Sequence, residues 1–154
     1  MTVTVDSPSK LQSRIGQEIA LSDWIEVTQE RIDTFAKATD DFQFIHVDPE
    51  AARKTPFGGT IAHGFLTLSL IPLLSERSNL PRCEGVQMVL NYGVDKVRFI
   101  APVPSGRRIR GRFKLLDLIE KRPSQWQQTM GVTVEIEGMD KPAMVAEWII
   151  QVLV

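Results

Sequence analysis

The stretch TIAHGFLTLSLIPLLSERS, residues 60–78, restricts the fold of this chain more than any other. Ile61, Phe65, Leu66, Leu68, Leu70, Ile71, Leu73 and Leu74 fall on nearly every face of a helix drawn through it. A helix that is apolar all round has no side to give to water, so other elements must wrap it. It is a core helix and not a membrane span, which takes about 18 apolar residues or more in a row. Pro72 removes a hydrogen bond to the preceding turn, so a kink or a loosened last turn is expected there.

The cover for that helix is read from the chain after residue 84. GVQMVLNYG, DKVRFIAPV, RRIRGRFKLLDLIEK, QWQQTMGVTVEIEG and AMVAEWIIQVLV are rich in Val, Ile and aromatic residues. In VTVEIE, Val132, Val134 and Ile136 share one face and Thr133, Glu135 and Glu137 the other, the period of a strand. APVPSG, KRPS and GMDKP punctuate the run as turns. The expectation is about five antiparallel strands joined by hairpins. Helices first and strands afterwards mean an α+β fold. A sheet hides an all-apolar helix only by curling around it, which is the hot-dog architecture.

Earlier in the chain, Thr28 is placed to cap a helix whose buried face is Ile32, Phe35 and Ala36, ending near Asp40. Asp48 and Pro49 open a second short helix, and the glycines at 58 and 59 end it. Residues 1–13 are polar and read as a loose arm. The 154 residues suit one domain spanning 1–154. The net charge of -1 sets up no field for nucleic acid or an anionic membrane, so neither is expected as a partner. With one cysteine, Cys83, the chain forms no internal disulfide and no cysteine-based zinc site. Cys83 lies in the turn-like LPRCEG and reads as a structural thiol. MTVTVDSPSKLQS lacks the apolar core of a secretory signal, and a cytoplasmic location is expected.

Chemistry is concentrated in TDDFQFIHVDP, residues 39–49. Asp41 and His46 are five positions apart, a spacing that separates them on a continuous helix but lets them converge in an irregular loop. Phe42, Phe44 and Ile45 are expected to pin that loop to the core and dry the pocket, which raises a carboxyl pKa and lowers that of an imidazole. Two groups tuned apart in this way serve general acid–base chemistry. The other reading of the pair is a structural hydrogen bond, with Asp40 ending one helix and Asp48 capping the next. His63 is the only other imidazole, and no H-E-x-x-H or H-x-x-E-H spacing occurs, so no metal site is expected. Gly64 stands near the start of the apolar helix, where free backbone N–H groups and a positive dipole end form an oxyanion hole for a carbonyl. Its other reading is tight packing against the sheet.

Together, ATDDFQFIHVDPEAARKTPFGGTIAHGFLTLSLIPLL and LNYGVDKVRFIAPVPSGRRIRG resemble the MaoC-like dehydratases, or (R)-specific enoyl-CoA hydratases, and especially the branch related to nodulation protein N. The resemblance covers roughly residues 28 to 111. It sets Asp41 and His46 on the family's catalytic acid and histidine and Gly64 on its oxyanion-hole glycine. Asp48, Ala51 and Phe57 fill the adjoining motif positions. The chain departs from the motif at Asp40, where the family has glycine, and at Gln43-Phe44, where it has Asn-Pro. Gln43 retains an amide for a water or the carbonyl, whereas Phe44 lacks proline's backbone restriction. Ser69 is the inward candidate for a serine that some members carry on the central helix.

The resemblance implies reversible hydration of a trans-2-enoyl-CoA to an (R)-3-hydroxyacyl-CoA by Asp41 and His46 sharing one water. No cofactor is implied, coenzyme A arriving as part of the acyl-CoA thioester substrate. A homodimer is implied as well, with the acyl tunnel near the interface, since a lone unit exposes a sheet edge. Arg98 is the candidate among the basic strand residues for substrate contact, and Asn91 a further one. Two other functions compete. A hot-dog thioesterase uses a carboxylate to direct water at the thioester carbon, which the Asp–His spacing and IAHG disfavour. A non-catalytic acyl-binding module fits the Gln43-Phe44 departure.

Overall fold

The computed structural model describes residues 3–154. Its first elements are β1 (Val5–Asp6), α1 (Pro8–Gln12), β2 (Glu18–Leu21) and β3 (Ile25–Glu26). The expected loose arm over 1–13 is corrected here: its first two residues lie outside the described ones, and the rest is tied down. The Ser7 hydroxyl caps α1 by accepting from the Lys10 N–H at 3.3 Å. Leu11 is 1% exposed and joins the core. Gln12 Nε2 donates to the Leu118 carbonyl at 2.9 Å. One leucine in a polar tract carries no periodicity, which is why composition hid this anchor.

Helix α2 (Gln29–Thr39) starts as expected, the Thr28 hydroxyl accepting from the Arg31 N–H at 3.1 Å. Ile32 and Ala36 are buried, and the helix ends on Asp40, left-handed at φ 58°. Then come the single turns α3 (Phe44–Val47) and α4 (Pro49–Ala52), the latter capped by Asp48, which accepts from the Ala51 N–H at 3.0 Å.

The apolar stretch forms two helices, α5 (Gly64–Ser69) and α6 (Ile71–Glu76), that meet at Leu70. Pro72 lies in the first turn of α6, where its missing N–H needs no partner. It therefore starts a helix and does not merely loosen the end of one. Leu66, Leu70, Ile71 and Leu74 are buried as expected, but Phe65 is 67% exposed in the single chain, so the helix is not apolar-buried on every side.

Beyond it, β4 (Arg82–Cys83) pairs in parallel with β1. The long strands are β5 (Met88–Phe99), β6 (Arg108–Arg122), β7 (Gln125–Ile136) and β8 (Met144–Leu153). GVQMVLNYG and DKVRFIAPV, read as separate strands, merge in β5. Gly93 makes no turn there. Register shifts between Asn91 and Gly93 and between Asp95 and Arg98 absorb the irregularity instead. The antiparallel order is β2-β6-β7-β8-β5, with β3 also pairing β6. Val132, Val134 and Ile136 point inward as expected, joined by Met144, Ala146, Trp148, Ile150 and Val152 of β8. Helix α5 packs on β8 and α6 on β6, so the core helix crosses the sheet's inner face. This is the α+β hot-dog fold, with the sheet left open. One edge is β5, where Met88, Val89, Leu90, Tyr92 and Val94 stay exposed. Among the described residues no helix is long and apolar enough to cross a membrane.

The anchoring of α1 is measurable. Leu11→Ala lowers the unfolding free energy by about 2 to 5 kcal/mol in urea denaturation, the cost of emptying a core leucine site. A loose arm would show no change.

Candidate functional site

The chain enters the core helix along a rail. The Ile61 N–H donates to the Ile45 carbonyl at 3.0 Å and the Ala62 N–H to the Val103 carbonyl at 2.8 Å. This ties the turn α3 to the segment just before α5. It also brings the His46 ring onto Ile61, whose carbonyl accepts from His46 Nδ1 at 2.7 Å. Because a carbonyl only accepts, Nδ1 carries the proton and Nε2 keeps a free lone pair.

Gln29, at the start of α2, closes the same region. Its Nε2 donates to the His46 carbonyl at 2.7 Å and to Asp33 Oδ1 at 2.9 Å, while its Oε1 accepts from the Thr60 hydroxyl at 2.5 Å. Sequence reasoning missed Gln29, since nothing in a lone glutamine at a helix start signals a long-range role.

The loop is thus held by polar contacts to backbone carbonyls. The expected apolar anchors are corrected: Phe42 is 53% and Phe44 48% exposed, and only Ile45 is partly buried. Asp41 is itself exposed, so the single chain does not enclose it in a dry pocket. Its Oδ1 accepts from the Gln43 N–H at 3.3 Å. A carboxylate oxygen of Asp41 and ring nitrogens of His46 and His63 lie within 4.8 Å of one another. One water bridges such a gap with hydrogen bonds of about 2.8 Å each.

A metal ion suits the trio less well. The His46 and His63 rings are stacked, with centroids 3.9 Å apart and planes 25° from parallel. Ring lone pairs lie in the ring planes, and those of two stacked rings run nearly parallel and do not converge.

His46 is buried and held below its ordinary imidazole pKa. Burial is the main cause. The Ile61 hydrogen bond works against it, the neighbouring His63 adds to the depression, and the Asp41 carboxylate opposes it.

His46 and Gly64 line one cleft of about 270 Å³, together with Phe57, Thr67, Phe99 and Val103. Gly64 is the first residue of α5, and His63 makes no side-chain cap. The Gly64 N–H therefore has no partner within the helix. With six residues in α5 the macrodipole is short, and what Gly64 offers is the directed N–H itself. The packing reading has support too. A Cβ at Gly64 would come within 2.9 Å of the Phe99 ring.

The other candidates are not gathered here. Ser69 is exposed, its hydroxyl turned back onto the Phe65 carbonyl at 2.7 Å, so the inward serine expected on this helix is corrected. The buried polar side chain facing the cleft from α5 is Thr67, two positions earlier and missed by the sequence reading. Gln43 is exposed at the N-terminus of α3. Asn91 accepts from Trp148 Nε1 at 2.8 Å and lines a separate cavity of about 420 Å³. Arg98 is exposed on β5 and donates to the Val97 carbonyl at 2.7 Å.

The Gln29 bridge sets a stability expectation. Gln29→Ala leaves the His46 carbonyl and the Thr60 hydroxyl without their partner and lowers the unfolding free energy by about 1 to 3 kcal/mol, measured by urea titration.

Comparison with known proteins bears on the chain as a whole. Residues 10–138 match the family described as a MaoC like domain. Nodulation protein N of Rhizobium leguminosarum bv. viciae is 53% identical over 144 residues, 93% of this chain and 89% of the relative. The 3-hydroxyacyl-thioester dehydratase Z of Mycobacterium tuberculosis is 46% identical over 148 residues, 96% of this chain and 97% of the relative. Among solved structures, the (R)-hydratase from A. caviae involved in PHA biosynthesis superposes with a TM-score of 0.69 at 26% identity, covering 88% of this chain and 94% of that one.

Proposed function

Because this chain belongs to the MaoC-like domain family, we propose that it is a hydratase/dehydratase that reversibly adds water to a trans-2-enoyl-CoA to form an (R)-3-hydroxyacyl-CoA. The observation that carries the reading is the approach of the Asp41 carboxylate and an imidazole nitrogen of His46 to within 4.8 Å, with His46 and Gly64 lining one cleft. The (R)-hydratase name of a structural relative and the dehydratase name of a close sequence relative support the same chemistry.

Hydration needs a water that loses a proton as it attacks C3, a proton for C2, and stabilisation of the thioester oxygen as charge gathers on it. His46 Nε2, with its free lone pair, takes the proton from the shared water. That proton passes from His46 to the Asp41 carboxylate, which delivers it to C2. The pair ends the cycle with the protons it began with, and the net change is H at C2 and OH at C3. The balance also holds with the two roles exchanged. The Gly64 N–H holds the enolate-like oxygen, and Thr67 offers a hydroxyl in the same cleft. The half-exposed Phe99 ring lies against Gly64 and so borders the space a thioester would occupy. The steps as written use no metal or redox cofactor, and coenzyme A enters with the substrate. Arg98 on the exposed strand face remains the candidate for a CoA phosphate.

The same proposal includes a homodimer. Its support is the β5 edge, which has a neighbour on one side only and a row of exposed apolar residues. A partner there would also cover some of the apolar surface that the single chain leaves in water.

Crotonyl-CoA tests the reading. The enoyl absorbance falls on incubation with the protein, without release of free thiol. Asp41→Asn and His46→Gln each lower kcat by at least about 100-fold, the usual range for a lost acid or base. Thiol release would replace the hydratase with a thioesterase, and neither signal over short and long acyl chains would favour a binding module.

The pH profile follows from His46. Its folded pKa is depressed, so the neutral base persists below the ordinary imidazole value and is lost only as pH falls through that lower pKa. The acid limb of kcat/KM therefore has its midpoint below about pH 6.5. A midpoint above that value would remove His46 from the role of base.

A further inference from the structure

His63 is 2% exposed, and its ring touches three separate parts of the site. At one edge, Nε2 donates to the backbone carbonyl of Asp41 at 3.0 Å. On one face it stacks against His46, with centroids 3.9 Å apart. Phe35 of α2 packs against it at 5.0 Å between centroids, tilted by 58°. Its own backbone is the N-cap of α5, one residue before Gly64. We propose that His63 is the positioning residue of this site, setting the Asp41 backbone and the His46 ring in register with Gly64. This rests on the hydratase reading given above.

The argument turns on why a histidine stands here. Nε2 faces a carbonyl and must carry the proton, which leaves Nδ1 as a bare acceptor. That Nδ1 is buried and has no hydrogen-bond partner among the described residues. A buried polar atom without a partner is costly, because it has given up its hydrogen bonds to water. Phenylalanine would keep a flat face for His46 without this cost, but it has no donor for Asp41. Glutamine would keep the donor but not the face. Among these, histidine alone supplies a flat aromatic face and an N–H donor at its tip, and the orphaned Nδ1 is the consequence of requiring both.

The two rings also hold opposite tautomers. His46 carries its proton on Nδ1 toward the Ile61 carbonyl, and His63 carries its proton on Nε2 toward the Asp41 carbonyl. Each ring is thereby locked by a backbone oxygen from a different segment, and the stack aligns the two segments. Among the described residues no other donor reaches the Asp41 carbonyl, so the placement of the carboxylate depends on this contact. The titratable groups facing His46 are Asp41, from the loop after α2, and His63, from the start of α5.

Two variants separate the contributions. His63→Phe keeps a stacked ring and loses the N–H; His63→Gln keeps a donor and loses the ring. With crotonyl-CoA, kcat falls about 10- to 100-fold in His63→Phe, the scale of an ångström of misplacement, while KM stays within about threefold. His63→Gln falls by a similar factor. In both, the second imidazole no longer faces His46, so the acid limb of kcat/KM, which reads the His46 titration, moves from its place in the unaltered protein. The same shift is read without substrate from the ¹⁵N spectrum of the imidazoles, because the chain has two histidines and each variant leaves only His46. If one variant does not fold, the other carries the test. Unchanged kcat and an unchanged His46 titration, with only a lower Tm, would overturn the proposal. If the unaltered protein does not hydrate crotonyl-CoA, the hydratase reading fails, while the spectrum still decides whether His63 sets the state of His46.

Discussion

Burial of a helix with little to offer water governs this molecule. Leu66, Leu70, Ile71 and Leu74 lie against the inner faces of β8 and β6, and this contact determines where α5 begins. Once α5 is seated, the residues leading into it are seated too. The Ala62 N–H is fixed to Val103, and Ile61 becomes the backbone rail on which α3 lies. The Ile61 carbonyl then orients His46. The most polar part of the protein is therefore positioned by its most apolar part, through main-chain hydrogen bonds that cannot adjust independently.

This explains how a loop with exposed phenylalanines still presents an ordered pair of ionisable groups. The side chains of Phe42 and Phe44 do not hold the loop in the single chain. Carbonyls of Asp41, His46 and Ile61 do, meeting His63, Gln29 and His46 in turn. Such contacts are directional, and each one selects a tautomer or an amide orientation as well as a distance. The exposed aromatic residues, with Phe65 and the outer strand β5, instead leave apolar surface uncovered in the single chain.

Much of the architecture was legible in residue pattern. Alternation identified the inner face of β7, and Thr28 and Asp48 marked the starts of α2 and α4. The errors share a cause. Leu11 has no periodic neighbours, yet it anchors α1 because a space in the core receives it. GVQMVLNYG and DKVRFIAPV looked like two strands because Gly93 resembles a break, but pairing with β8 carries β5 through it. Ser69 and Thr67 are both plausible inward residues on paper. The turn through which α5 meets the sheet selects Thr67. The bridging roles of Gln29 and His63 were hidden, since the partners they bridge to lie far away in sequence: 17 and 31 residues off for Gln29 and 22 for His63.

By itself the sequence determined the class of fold, the need to enclose residues 60–78, and the two short stretches that hold the ionisable pair and the glycine. These follow from periodicity and local chemistry, which act over a few residues. Only the tertiary structure decided that Asp41, His46 and His63 converge, that two histidines stack in opposite tautomers, and that Thr67 faces the cleft in place of Ser69. Those outcomes depend on how α2, α3 and α5 are set against one another and the sheet. Long-range packing and backbone pairing fix that arrangement, and neither leaves a mark in any one segment of the chain.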